Sequence, residues 1–264
     1  MQDELAFLEE LNQFEVSRFL LKNKGLNGYW ISYLILYGRQ KDKSELTSLE
    51  KWFLYDAPVI KATQQRFRIF QEQLIKYINK ETKVASIPCG TMDDLLSLNI
   101  PHDHYVHFCG IDLDKNSLEL AEKNSKKYAY PHVSFHQRNA WNLGASQKFD
   151  LITSNGLNIY EPDDQKVVQL YQEFYKVLKS KGILIASFLT PPPNLSKDSL
   201  WKNYNKADVI KQKAIFGDII QTKWQVFRTE SQKRVQLEKT GFKVLDVIYE
   251  TKHMFPTIIA QKRD

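Results

Sequence analysis

Cysteine is almost missing: Cys89 and Cys109 are the only two in 264 residues. Two thiols make no disulfide framework, which excludes the small stapled scaffolds and points to a reducing, cytoplasmic compartment. Both stand near the ends of apolar segments, where buried free thiols are the simplest reading. No metal-ligand spacing links them to histidines, so no metal is expected. The start, Met1-Gln-Asp-Glu-Leu5, lacks a signal-peptide pattern. The longest apolar run, residues 29–37, is far too short to cross a bilayer, so no membrane partner is expected. A block of like charge is also lacking. The net charge is +6 and the pI about 9.0, yet Lys and Arg are scattered, with only short groups such as Lys22/Lys24 and Lys179/Lys181. A scattered basic surface argues against nucleic acid as the partner.

What the chain does have is aromatic mass: 13 Tyr, 15 Phe and 5 Trp. These suffice for a large core and an aromatic-lined pocket. Residues 1–80 read as a helical cap. Leu5, Leu8, Leu11 and Phe14 recur at helical steps, Ser44 or Thr47 begins a short helix, and Pro58 opens a long one along Val59, Thr63, Phe67, Phe70 and Leu74. After residue 81 the texture alternates. Strands are expected at 83–88, 106–111, 132–136, 149–154, 182–189, 242–250 and 255–261. Helices are expected at 91–98, 115–129, 163–179 and 228–240. This alternation predicts an α/β fold: a Rossmann-like, seven-stranded, mostly parallel sheet with helices on both faces and the N-terminal cap. The last two strands are joined by only a few residues, which forces a C-terminal antiparallel hairpin. Residues 81–264 therefore form one domain, and 190–228 an insertion within it.

The stretch Lys83-Val-Ala-Ser-Ile-Pro-Cys-Gly-Thr-Met-Asp-Asp94 is a strand running through a tight turn into a helix. A second strand follows and ends in Gly110-Ile-Asp112-Leu113-Asp114. A turn followed some twenty residues later by an acid is how such sheets hold an adenosine-containing ligand. The turn has one glycine, Gly90, where two or three are usual. Asp93 and Asp94 read as acids of a first helical turn, favoured there by the dipole. Asp114 suits the cap of the next helix.

In their order along the chain, these motifs resemble those of class I S-adenosylmethionine-dependent methyltransferases, and an unassigned bacterial group within them. The family's Asp-x-Gly-x-Gly-Thr-Gly stands here as Ser86-Ile-Pro88-Cys89-Gly90-Thr91-Met92. The resemblance implies S-adenosylmethionine as the methyl donor. It places Pro88, Cys89, Gly90 and Thr91 at the methionine part and Asp112 at the ribose hydroxyls, with Leu113 packed on the adenine. It further implies adenine contacts from Asn139, through its carbonyl oxygen or its NH₂ as donor to a ring nitrogen, and from Ala140 and Trp141. Asn155 and Gly156, in Ser154-Asn155-Gly156-Leu157, would lie under the methionine arm. That stretch is not the Asp/Asn-Pro-Pro-Tyr/Phe of enzymes that methylate base amines.

The implied activity is in-line transfer of a methyl group to O or N of a small or medium-sized acceptor. The donor is already activated, so no catalytic base can be named from sequence. Tyr160 and His253 are the geometric candidates. Tyr29, Trp30, Arg66, Tyr160 and Trp201 are candidates to line the acceptor pocket, between the cap and the insertion. A non-catalytic regulatory protein that kept the nucleotide site, and an RNA methyltransferase, stay open at this stage. The oligomeric state is not legible.

Overall fold

The computed structural model describes residues 2–101, 103–144 and 148–264. Five helices come first: α1 (Gln2–Leu11), α2 (Glu15–Asn23), α3 (Gly28–Ile35), α4 (Ser48–Tyr55) and α5 (Pro58–Tyr77). Their starts follow local chemistry. The side chains of Asn27 and Thr47 accept the amides of Trp30 and Glu50, capping α3 and α4, and Pro58 occupies the first turn of α5.

The strands are β1 (Glu81–Ser86), β2 (Tyr105–Asp112), β3 (Val133–Gln137), β4 (Phe149–Ser154), β5 (Leu178–Ser187), β6 (Phe242–Ile248) and β7 (Thr257–Lys262). They form one sheet in the order β3-β2-β1-β4-β5-β7-β6. Strand β7 pairs antiparallel with both β5 and β6, and the pairs from β3 across to β5 are parallel. The expected Rossmann-like topology with its closing hairpin is therefore what the chain adopts. The remaining helices are α6 (Asp93–Leu96), α7 (Lys115–Ser125), α8 (Asp164–Val177), α9 (Lys206–Gln212) and α10 (Glu230–Glu238). Helix α6 is shorter than the expected 91–98, because Met92 takes a left-handed φ of 59° and delays the helix.

Central strands are apolar on both faces, as buried parallel strands are. In β5, Ile183 and Ile185 join Phe70, Leu74, Leu95 and Phe108 in a core under α5, α6 and α7. Leu184 and Ala186 turn the other way, toward Leu170, Tyr171, Phe174 and Leu237 of α8 and α10. A third core joins the first helices to residues 215–224 and the hairpin: Leu11, Phe14, Phe53, Phe216, Trp224 and Phe255. Burial of this third core fixes the cap over the C-terminal ends of the strands. No helix of the described residues is long and apolar enough to cross a membrane.

Helix α10 carries a full capping box: Thr229 accepts from Gln232 N, and the Gln232 side chain accepts from Thr229 N. Thr229→Ala is expected to lower stability by about 1 kcal/mol. A urea midpoint that does not move would refute this.

Candidate active site

A cavity of about 420 Å³ opens at the C-terminal ends of β1, β2 and β4. That is where open α/β sheets bind ligands, at the point where strand order reverses. Its floor is the turn after β1. Gly90 holds a φ of 52°, and its amide donates to Asp112 Oδ2 at 2.9 Å. Asp112 Oδ1 accepts from Asp114 N at 3.0 Å. Burial raises the Asp112 pKa, and these amide bonds oppose the rise. Each carboxylate oxygen keeps a lone pair for a further donor. Asp114 caps α7 through Asn116 N, as expected for it.

Met92 stands where the family motif has its last glycine. It keeps the left-handed backbone a glycine would supply, while its side chain is fully buried in the core beneath the sheet. It is absent from the cavity wall, so the glycine-poor turn leaves the ligand space open.

The roof is α3. Gly28, at its start, lies directly on Gly90: a Cβ built on Gly28 would fall 2.5 Å from Gly90 Cα and 3.0 Å from Thr91 N. Behind it, Ser32 is hydrogen-bonded to Thr91 Oγ1 at 2.5 Å and to Asp93 Oδ2 at 2.6 Å. Asp93 is only 4% exposed and also accepts from Tyr37 OH and Asn124 Nδ2. It ties cap, turn and α7 together, a role its position in a first turn did not reveal.

Asp94 was also missed by sequence reasoning. It lines the cavity beside Ser86, whose hydroxyl donates to Asp94 Oδ2 at 3.0 Å. The carboxylate that the motif would carry at position 86 is thus supplied from α6. Burial, aided by the neighbouring charge of Asp93, lifts its pKa to about 7.

Pro88, Cys89, Thr91, Leu113, Asn139, Ala140, Trp141, Asn155 and Gly156 all line the same cavity. Cys89 and Cys109 are free, and burial pushes the Cys89 thiol up, so it stays protonated. Trp141 is pinned by its Nε1 donating to Lys166 O at 2.8 Å. Of the two Asn139 groups expected to serve a ligand, Oδ1 already accepts from Trp141 N at 3.0 Å. Its NH₂ is therefore the freer group for a ligand.

Beyond Gly156 lies a smaller chamber of about 60 Å³. It shares Leu26, Ile31, Asn155, Gly156 and Tyr160 with the large cavity. Val59, Thr63 and Arg66 reach it from one face of α5, with Trp224 and Phe255 opposite. Tyr160 and Arg66 thus both line this chamber. Burial lifts the Tyr160 phenol to about 12, so it keeps its proton and makes a poor base.

The other candidates fall elsewhere. Tyr29 and Trp30 line neither space: Tyr29 is exposed, and Trp30 packs against the cap core, on Phe19, Tyr29 and Tyr33. Trp201 lines a separate hollow and donates its Nε1 to Thr190. His253 stacks on Tyr249 in the hairpin turn, away from both spaces. A larger hollow of about 680 Å³ runs along the flank of β2 and β3 rather than over the ends of the central strands. No helix follows β3 among the described residues to cover that face.

The methyltransferase-domain family model matches residues 78–240, more than half of the chain. The crystal structure of a possible exported protein from Bordetella parapertussis is similar at 38% identity, with a TM-score of 0.95 over 99% of this chain and 87% of that one. Magnesium protoporphyrin IX methyltransferase from Synechocystis, solved with bound S-adenosylhomocysteine, shares the fold. Its TM-score is 0.59 at 14% identity over 88% of this chain and 97% of that one. A demethylmenaquinone methyltransferase from Alkalihalophilus pseudofirmus is 26% identical over 131 residues, 48% of this chain. The match spans about half the length of that relative, 54%.

Proposed function

The chain belongs to the class I S-adenosylmethionine-dependent methyltransferases, matched over residues 78–240, and from that membership we propose that it methylates O or N of a small or medium-sized acceptor. One observation carries this: residues from the ends of β1, β2 and β4 converge on a 420 Å³ cavity that shares Asn155, Gly156 and Tyr160 with a second, smaller chamber. The size suits an organic ligand, and Asn155 Oδ1, buried there without a partner, is a polar atom awaiting one.

When bound, S-adenosylmethionine supplies a methyl group already activated on a sulfonium. Asp112 would receive the ribose hydroxyls on its remaining lone pairs, and Leu113 and Trp141 would flank the adenine. The Asn139 NH₂ would donate to a ring nitrogen. Amides of the Gly90 turn would meet the carboxylate, and Asp94 the ammonium. Helix α3, clamped by Ser32, keeps water out and holds the turn in place. The protein's contribution is thus alignment and dehydration rather than acid–base chemistry.

Calorimetry on the full chain tests the donor half. Saturable binding of S-adenosylhomocysteine with a dissociation constant below about 1 mM is expected. No heat at millimolar ligand would sink the enzyme reading.

A further inference from the structure

We propose that Arg66 holds a carboxylate of the acceptor and that an oxygen of this carboxylate is the atom methylated. The inference rests on the methyl-donor reading above and adds the substrate class.

Four buried basic side chains differ in how they are satisfied, and one of them, Lys252, donates its Nζ to Asn203 O at 2.7 Å. Arg228 donates to Asp164 Oδ1, Asn158 O and Glu161 O at 2.7–2.9 Å. Lys233 donates to Gln236 Oε1 and Asn158 Oδ1 and lies over the Tyr171 ring. Arg66, 5% exposed, has one long contact, 3.4 Å from Nη1 to Ser187 Oγ. Its Nε has no partner, and it forms no ion pair among the described residues. The carboxylate that acts on its charge, Glu250, already accepts from Lys252, Met254 and Phe255 amides. The guanidinium lies over the Phe255 ring, 4.5 Å from its centre, and faces the small chamber. Burying an arginine without a counter-charge costs several kcal/mol, so such a group marks a place where an anion arrives. Burial lowers its pKa only to about 10, so it carries its charge at neutral pH.

Position identifies this anion as the nucleophile. Nη1 would sit 3.4 Å from a Cβ on Gly156, and Gly156 walls both the chamber and the donor cavity. An anion on Arg66 is therefore next to the donor. A space of 60 Å³ admits little more than a carboxylate and its neighbouring carbon. No carboxylate, histidine or lysine lines it, so a hydroxyl or ammonium acceptor would find no base. A carboxylate needs none. One O–C bond forms as one S–C bond breaks, the S–C electron pair stays on sulfur, and no proton moves. The product ester is neutral and loses its hold on Arg66, which favours release. Asn155, by turning its amide, can present NH₂ to the second oxygen.

The test uses acetate and propionate, small enough for the chamber, with acetamide and propionamide as neutral isosteres, titrated into the S-adenosylhomocysteine complex. Each acid is expected to bind at least tenfold more tightly than its amide. Turnover with methyl-labelled donor should give label that leaves as methanol in alkali, the mark of an ester. Arg66→Gln should cost the acids at least tenfold in affinity while S-adenosylhomocysteine binding stays within twofold of wild type, which also reports folding. Arg66→Lys should restore part of the loss. Equal binding of acid and amide, or an Arg66→Gln protein that still prefers the acid, overturns the proposal alone. Failure of the wild type to bind S-adenosylhomocysteine overturns the donor reading and this proposal together.

Discussion

Gly28→Ala is expected to weaken S-adenosylhomocysteine binding by about a hundredfold. The added Cβ would stand 2.5 Å from Gly90 Cα, 2.8 Å from Gly90 C and 3.0 Å from Thr91 N. Carbon atoms pack at about 3.5–4.0 Å, and these neighbours are backbone that cannot rotate aside. Either α3 must lift or the turn must sink, by about 1 Å. The turn's amides are aimed at the donor, and a misplacement of that size costs about 10² in a positioned site. Helix propensity points the other way, since Ala for Gly in a compatible helical position stabilises by about 0.4–1 kcal/mol. Gly25→Ala is the control: its Cβ would meet Tyr160 Cε1 at an ordinary 3.6 Å. Unchanged donor affinity in Gly28→Ala would show that the cap does not set the turn.

The second large effect concerns pH. Asp94 has its carboxyl raised from 3.8 to about 7, chiefly by burial. Below pH 4 both folded and unfolded chains hold this proton, and the group's stabilising contribution is complete. As pH rises from 4 to 7 the unfolded chain releases the proton first, and the contribution is lost, about 4 kcal/mol at most. Asp94→Asn should therefore show a flatter stability profile across that window. Donor binding should run in the opposite sense. An ammonium beside Asp94 favours the ionised form, so S-adenosylmethionine affinity should rise on the order of tenfold between pH 5.5 and 7.5. Asp94→Asn should bind more weakly at pH 7.5 and lose the dependence. A wild-type affinity that is flat over this range would remove Asp94 from the donor site.

Much of the architecture was legible before any coordinates. Alternating apolar strands and amphipathic helices gave the sheet, because the period of a segment reports which faces it must bury. The short link before β7 required a hairpin. Asp114 was legible as the helix cap from its offset to the first helical residue, and Asp112, two residues earlier, lines the cavity. Other features depend on contacts between distant segments. Gly28 carries no local signal of its role, because its partner, Gly90, is far along the chain. Asp94 looked like a dipole-stabilised helix start because its burial beside Ser86 is a packing result. Tyr29 and Trp30 were aromatic enough to line a pocket, but the rotation of α3, set by Ser32 on Thr91 and Asp93, points Tyr29 to solvent and Trp30 into the cap core.

The single-glycine turn illustrates the division. Sequence determined that a strand, a tight turn and a helix stand ahead of an acid-tipped strand, since those are local consequences of residue type and period. Only the tertiary structure decided that Met92 keeps a glycine's backbone while burying its side chain under the sheet, and that α3 roofs the turn. It also decided that Arg66, one arginine of a long helix, ends in a buried chamber without a counter-charge. Burial and electrostatic environment are properties of the assembled chain, and they separate a solvated arginine from one that waits for an anion.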